Sequence, residues 1–235
     1  MNIVYHASST RGAANFGWLE SKHTFSFGEY FNPERVNFGK LRVINDDTVA
    51  PGKGFGTHPH RDMEIVSIPL FGTLLHKDSQ GNEQFIRKGE VQIMSAGTRV
   101  YHSEFNASET EEVKFLQIWI MPKKLSIHPR YEQKKFEFRL GEWTTVVAPL
   151  ENNLGAVGIN QDSFFSMIHF EKQKINYSLK LKGNGIYLLI LNGSMVMDGK
   201  TYLTRDGVGI TDIEQVSIET NEYTELLVIE VPMQS

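Results

Sequence analysis

The sequence has no cysteine at any of its 235 positions. That absence excludes disulfide staples, thiolate zinc sites, iron–sulfur clusters and cysteine nucleophiles, so any metal must be held by nitrogen and oxygen. Long hydrophobic runs are missing too. The most apolar stretch, Gly185 to Met197, is interrupted by Asn192 and is too short to cross a bilayer. No basic start followed by an apolar run is present, so no secretory signal is read and a soluble cytoplasmic protein is expected. Charge of one sign is not in excess: 24 Lys+Arg against 28 Asp+Glu give a net −4. With the two signs interspersed, there is no electrostatic footprint for nucleic acid or an anionic membrane. Sustained helical periodicity is also lacking, and the best short-helix candidate is Pro129–Lys134.

What is present is a succession of short Val-, Ile-, Leu- and Phe-rich segments. Leu41–Ile44, Glu64–Leu75, Val91–Met94, Val113–Ile120, Ile186–Leu191 and Glu225–Val231 are examples. Turn signals such as Ser79-Gln80-Gly81-Asn82 and Asp198-Gly199-Lys200 separate them. That pattern predicts an all-β sandwich or barrel. A faint internal repeat relates Leu70-Phe71-Gly72-Thr73 to Leu191-Asn192-Gly193-Ser194, and Arg87-Lys88-Gly89 to Arg205-Asp206-Gly207. Two similar β units imply two barrels. The polar, proline-punctuated stretch from Met121 to Lys135 reads as the connector, which divides the chain into 1–122 and 123–235.

The chemistry concentrates in the first unit. In a strand, His58 and His60 project to one face, as would Glu64 if the strand continues. His102 and Glu104 form a second such pair. Two neighbouring strands carrying these pairs into one barrel can close on a metal with three imidazoles and a carboxylate, and parity leaves both Glu64 and Glu104 open as that carboxylate. Neither pair is specific alone; their order, and the glycine-rich runs before each, give the pattern its weight.

Gly52, His58, His60 and Glu64 fit the first cupin motif, and Gly89, Gly97, His102 and Asn106 fit the second, with Ser95 in place of the usual proline. His58-Pro59-His60-Arg61-Asp62-Met63-Glu64, Ser95-Ala96-Gly97, His102-Ser103-Glu104, His23-Thr24-Phe25-Ser26-Phe27 and Leu41-Arg42-Val43-Ile44-Asn45-Asp46-Asp47 resemble pirin-like proteins more narrowly. The resemblance is to bacterial bicupin pirins with quercetin 2,3-dioxygenase activity; it is specific over residues 15–122 and weaker beyond. It implies two packed jelly-roll cupin barrels with metal in the first only. It also implies the ligand set His58, His60, His102 and Glu104, with Glu64 standing behind the ligands or held by a neighbouring arginine. Aligning Gly72 with Gly193 carries His58 and His60 onto Leu179 and Leu181; aligning Gly89 with Gly207 carries His102 and Glu104 onto Thr220 and Glu222.

A mixed nitrogen–oxygen shell suits Fe(II) first, with Ni, Co, Mn, Cu or Zn as alternatives. The implied reaction is opening of a flavonol ring by O2 with loss of carbon monoxide. Glu104, or a neighbour such as Glu64, accepts the flavonol proton, and Phe25, Phe27 and Phe55 are candidates for an aromatic wall. His23 is a candidate for the site mouth and His76 for a structural turn, while His6, His128 and His169 show no ligand-spaced partner. A monomer is expected, with no nucleic-acid partner. The rival reading is a non-catalytic, metal- or redox-responsive regulator acting through protein partners; a metal-bound isomerase or small-molecule sensor is a third.

Overall fold

Segments rich in Val, Ile and Phe extend because β-branched and aromatic side chains suit a pleated, half-buried surface. The computed structural model describes residues 1–152 and 155–234, and among these the only helical segments are two short 3-10 turns. No helix is long and apolar enough to cross a membrane.

Four sheets make two barrels. The first seven-stranded sheet runs, in spatial order, β12 (Arg130–Lys135), β9 (Glu90–Ser95), β6 (Glu64–Phe71), β11 (Val113–Ile120), β4 (Leu41–Val49), β3 (Leu19–His23) and β2 (Gly12–Asn15). It packs on a four-stranded sheet of β5 (Gly54–His60), β10 (Val100–Asn106), β7 (Thr73–Asp78) and β8 (Glu83–Arg87). The second seven-stranded sheet is β1 (Asn2–His6), β20 (Gly207–Thr211), β17 (Asn184–Asn192), β22 (Tyr223–Pro232), β15 (Phe164–Glu171), β13 (Thr144–Pro149) and β14 (Val157–Ile159). Its partner is β16 (Lys174–Ser178), β21 (Gln215–Glu219), β18 (Ser194–Met197) and β19 (Lys200–Leu203).

The two large sheets share a single apolar layer. Val66, Ile68, Leu116 and Ile118 from the first belong to one buried cluster with Phe165, Leu189, Leu227 and Ile229 from the second. This explains why β6, β17 and β22 are apolar on both faces: one face fills a barrel and the other fills this layer. Each such side chain contributes roughly 1.5–3 kcal/mol by burial.

Strands are also exchanged across the expected boundary near residue 122. β1 adds to the second large sheet, with Asn2 opposite Thr211 and His6 opposite Gly207. β12 adds to the first, with Arg130 opposite Ser95 and Lys135 opposite Glu90. The helix expected over Pro129–Lys134 is therefore a strand. Its residues favour helix locally, but the open edge of β9 offers a ladder of backbone partners. Side chains then fix the strand against β14: Arg130 donates to the Gly158 carbonyl at 3.0 Å, Glu132 accepts from the Gly158 amide at 2.8 Å, and Lys134 donates to the Ala156 carbonyl at 2.7 Å.

The internal repeat is visible in matching turns. Gly72 and Gly193 both take positive φ, 75° and 80°. A Cβ at Gly72 would stand 2.7 Å from the Glu112 carbonyl oxygen, and one at Gly193 would collide with that of Tyr223. Each glycine thus lets the chain double back against the start of the last strand of its barrel.

Candidate metal centre

β5 and β10 lie antiparallel with His102 opposite His58 and Val100 opposite His60. His58 and His60 share a face, and the three imidazoles form a nearly equilateral cluster with ring centroids 4.5 Å, 4.8 Å and 4.8 Å apart. One ring nitrogen from each lies within 4.8 Å of the others. The His58 Nδ1–H donates to the Gly56 carbonyl at 2.8 Å, which leaves Nε2 as a free lone pair. His102 is buried, and neither of its ring nitrogens has a hydrogen-bond partner. Burial lowers His60 to about 4, with His58 contributing, and His102 to about 2, with His58, His60 and His76 contributing. His60 and His102 therefore present neutral imidazoles at neutral pH, as a cation requires.

Glu104 completes the polar interior. It follows His102 across a β-bulge and is fully buried, with a carboxylate oxygen within 4.8 Å of nitrogens of His102 and His76. Ser67 Oγ donates to its Oε1 at 3.1 Å and Gln117 Nε2 donates to its Oε2. Burial raises Glu104 to about 7, the Ser67 and Gln117 hydrogen bonds oppose that, and the nearby Asp47 charge adds to it. The Gln117 Oε1 in turn accepts from Trp119 Nε1 at 3.2 Å, and the Trp119 ring stands edge-on to His60. An ion at this cluster would take one of the two orphaned nitrogens of His102 and neutralise a buried carboxylate, so the residues present fit a divalent metal.

The cluster opens onto a cavity of about 330 Å³. Phe16, Phe27, Tyr30, Phe55 and Trp119 form its apolar wall, and Ser21, His23, Asn45, Asp47 and Gln117 its polar one. His23 lines it as expected, donating from Nδ1 to Asn45 Oδ1 at 2.9 Å. Phe27 and Phe55 belong to the wall, but Phe25 does not: it packs between His6 and Tyr187 in the layer joining the barrels.

A family model described as Pirin matches residues 5–120, and one described as Quercetinase C-terminal cupin domain matches residues 146–231. A relative named quercetin 2,3-dioxygenase, from Escherichia coli (strain K12), is 40% identical over 230 residues, 98% of this chain and 99% of its own. The chain belongs to the pirin family. A pirin-like protein of Caulobacter vibrioides is 36% identical, with 93% of this chain and 95% of its own covered. The crystal structure of the bacterial pirin YhhW from Escherichia coli in complex with nickel(II) matches with a TM-score of 0.93 at 38% identity, covering 98% of this chain and 99% of that one. The bicupin architecture implied by the sequence motifs is thus the architecture of this pirin.

Several residues of the pirin sit where the sequence did not indicate. Glu64 does not continue the His58–His60 face, because β5 ends at His60 and Asp62 turns the chain at φ 48°. Its carboxylate points between the barrels, accepting from Ser95 Oγ at 2.8 Å and the Asn160 amide at 3.1 Å. His76 is not in a turn but fully buried on β7, opposite Glu104, with Nε2 3.1 Å from Asp78 Oδ2. His169 lines a separate small cavity, stacked on Phe138; exposed His128 folds back on the Pro129 carbonyl. Asn45, Asp47, Ser67, Gln117 and Trp119 were not read as site residues from the sequence. Their signal was polarity at alternating positions of otherwise apolar strands, Asn45/Asp47 in β4 and Gln117 in β11.

The counterparts in the second barrel also need correction. Strand register pairs Ser67 with Gln92 and Gln117, and Leu188 with Val208 and Val228. Val208 therefore stands where Gln92 does, and the counterpart of Gly89 is Arg205, itself at φ 68°, not Gly207. The path onward is shorter: 216 − 208 = 8 against 102 − 92 = 10. Val196, three residues after Gly193, pairs with Glu219 as Leu75, three after Gly72, pairs with Phe105. The positions of His102 and Glu104 are thus held by Val216 and Ile218, not Thr220 and Glu222. Tyr177 opposite Val216 replaces His58, and Leu179, bonded to Glu214, replaces His60.

Proposed function

We propose that this pirin is a metal-dependent dioxygenase of flavonols such as quercetin, with His58, His60, His102 and Glu104 holding one divalent ion. The observation that carries the reading is the cluster of three imidazoles and a buried carboxylate opening onto an aromatic-walled cavity. The names of the relatives support the same activity, and the nickel(II) complex of the Escherichia coli pirin supports a divalent ion of nitrogen–oxygen preference. Fe(II) is our first choice of ion and Ni(II) the second. We assign the ion to the barrel of residues 1–122 and a structural role to that of 123–235, where Tyr177, Leu179, Val216 and Ile218 offer no comparable ligand set.

When bound, a divalent ion supplies Lewis acidity, which eases loss of a proton from a phenolic hydroxyl that approaches it. Everything else is the work of the chain. Phe27, Phe55 and Trp119 flank a flat ring and keep water from it. Glu104 takes the hydroxyl proton, and Ser67 and Gln117 keep its carboxylate aimed at the imidazoles. Both oxygen atoms of O2 enter the ring-opened depside while one ring carbon leaves as carbon monoxide. Action as a monomer is part of this reading. The cytoplasmic location expected from the sequence is part of this reading.

The test is direct. Protein reconstituted with Fe(II) or Ni(II) is expected to bleach the visible absorbance of quercetin in air and to release carbon monoxide. No metal-dependent bleaching with any of the divalent ions named would remove the proposal.

A further inference from the structure

Asp47 is the buried acid of this molecule that its neighbours leave short of partners. It lies on β4 between Ser21 and Phe115, 2% exposed, lines the cavity, and its Oδ1 has no hydrogen-bond partner. Other buried or half-buried carboxylates are treated differently. Glu230 accepts from Tyr177 Oη, the Lys180 and Leu181 amides and Asn184 Nδ2. The adjacent Asp46, pointing to the opposite face, is held by Arg11 at 3.3 Å and Arg205 at 3.0 Å. No lysine or arginine pairs with Asp47 among the described residues. A buried acceptor is left in this state where a ligand brings the donor, because truncating or mismatching that donor then leaves it bare.

We propose that Asp47 is the specificity residue of the cavity, accepting a hydrogen bond from a ligand hydroxyl other than the one that chelates. This rests on the flavonol reading above and narrows it. Chelation needs only the 3-hydroxyl and neighbouring carbonyl, which every flavonol carries; a wall carboxyl with an unpartnered Oδ1, in a largely aromatic lining whose other acids are Glu29 and Glu104, selects those with further phenolic hydroxyls. The ligand class is therefore the polyhydroxylated flavonols, with 3-hydroxyflavone as a poor ligand of the same shape. Asp47 works by positioning: its hydrogen bond fixes how the ring system lies between Phe27, Phe55 and Trp119.

Trp119 on the cavity wall provides a fluorescence reading of binding. Metal-loaded wild type, Asp47→Asn and Asp47→Leu are titrated anaerobically with quercetin and with 3-hydroxyflavone, with metal content and melting temperature measured alongside. Wild type is expected to prefer quercetin by about tenfold, Asp47→Asn to keep part of that preference because an amide oxygen is a weaker acceptor, and Asp47→Leu to lose it. Metal content stays at the wild-type level. Equal wild-type affinities, or a preference that survives in Asp47→Leu, overturns the proposal while leaving turnover of quercetin, and so the dioxygenase reading, intact. Loss of the bound metal in both variants also overturns it, by making Asp47 a support of the metal cluster. Failure of wild type to bind either flavonol overturns both readings.

Discussion

The two barrels share a strand plan and differ in what fills them. In the first, β10 runs between β5 and β7, and the barrel holds together His58 and His60 from β5, His102 and Glu104 from β10, Ser67 from β6 and Gln117 from β11. In the second, β21 runs between β16 and β18, and the corresponding positions hold Tyr177, Leu179, Val216, Ile218, Leu188 and Val228, packed in or against one apolar cluster. One backbone thus accommodates either a polar layer or a dry core. The polar layer costs desolvation. The first barrel offsets it below, with Leu19, Leu74, Ile86, Val113 and Phe115, and behind, in the apolar layer shared with the second barrel. On the proposed reading, chemistry and stability are divided between the copies.

Exchanging one residue at matching positions gives the largest contrast. His102→Ala is expected to lose bound metal, read by elemental analysis, and to slow quercetin turnover by 10³ or more, about 4 kcal/mol of barrier. The fold should hardly notice, since the substitution removes a buried imidazole with no partner for either nitrogen. Val216→Ala is expected to do the reverse, costing about 2 kcal/mol in urea unfolding and leaving metal content at the wild-type level. A metal-free Val216→Ala protein, or an active His102→Ala one, would erase the distinction between the barrels.

A smaller effect comes from writing the second barrel's residue into the first. Gln117→Val installs the residue found at position 228, and strips Glu104 of its Oε2 donor and Trp119 Nε1 of its acceptor. Groups that orient a ligand typically account for 10–100-fold in metal affinity. Chelator competition should therefore show affinity falling by about that factor while the protein stays folded. Unchanged affinity would mean that the bulge at Glu104, without Gln117, sets the carboxylate's aim.

How much of this was legible in the sequence follows from which features are local. The His58/His60 pair was legible because strand parity is a property of consecutive residues. The short strands and the Gly72 and Gly193 turns were legible because each is set by its own few residues. Parity failed wherever the strand stopped. Asp62 breaks it between His60 and Glu64, and Phe25 and Phe27, two residues apart, part company because neither lies in a strand. The counterparts in the second barrel were misplaced because similar letters, Gly89 and Gly207, are not in similar places; only the register of distant strands reveals that Arg205 takes the positive φ of Gly89. The strand at Arg130–Lys135 was hidden because its reason, the open edge of β9, is not in its own sequence.

His6 gives the smallest expected effect and separates two uses of histidine. It belongs to the first residues of the chain, yet β1 delivers it to the second barrel's sheet, with Nδ1 2.9 Å from Tyr187 Oη and its ring edge-on to Phe25. Burial, with a contribution from the Arg35 charge, lowers it to about 4. An unfolded chain would hold it near its ordinary value of about 6.5, so as pH falls the unfolded state takes the proton first. The stability tied to neutral His6 is complete above about pH 6.5 and lost progressively toward pH 4, on the order of 1–2 kcal/mol. Urea unfolding at a series of pH values should show a shallower acid limb for His6→Gln than for wild type. The increment should be the same in metal-free and metal-loaded protein, because His6 lies in the layer between the barrels and not at the cavity. The first barrel's His60 and His102 behave oppositely: their protons compete with the ion, so their share of the acid limb changes on loading. Parallel curves for wild type and His6→Gln, or an increment that depends on metal, would break that separation.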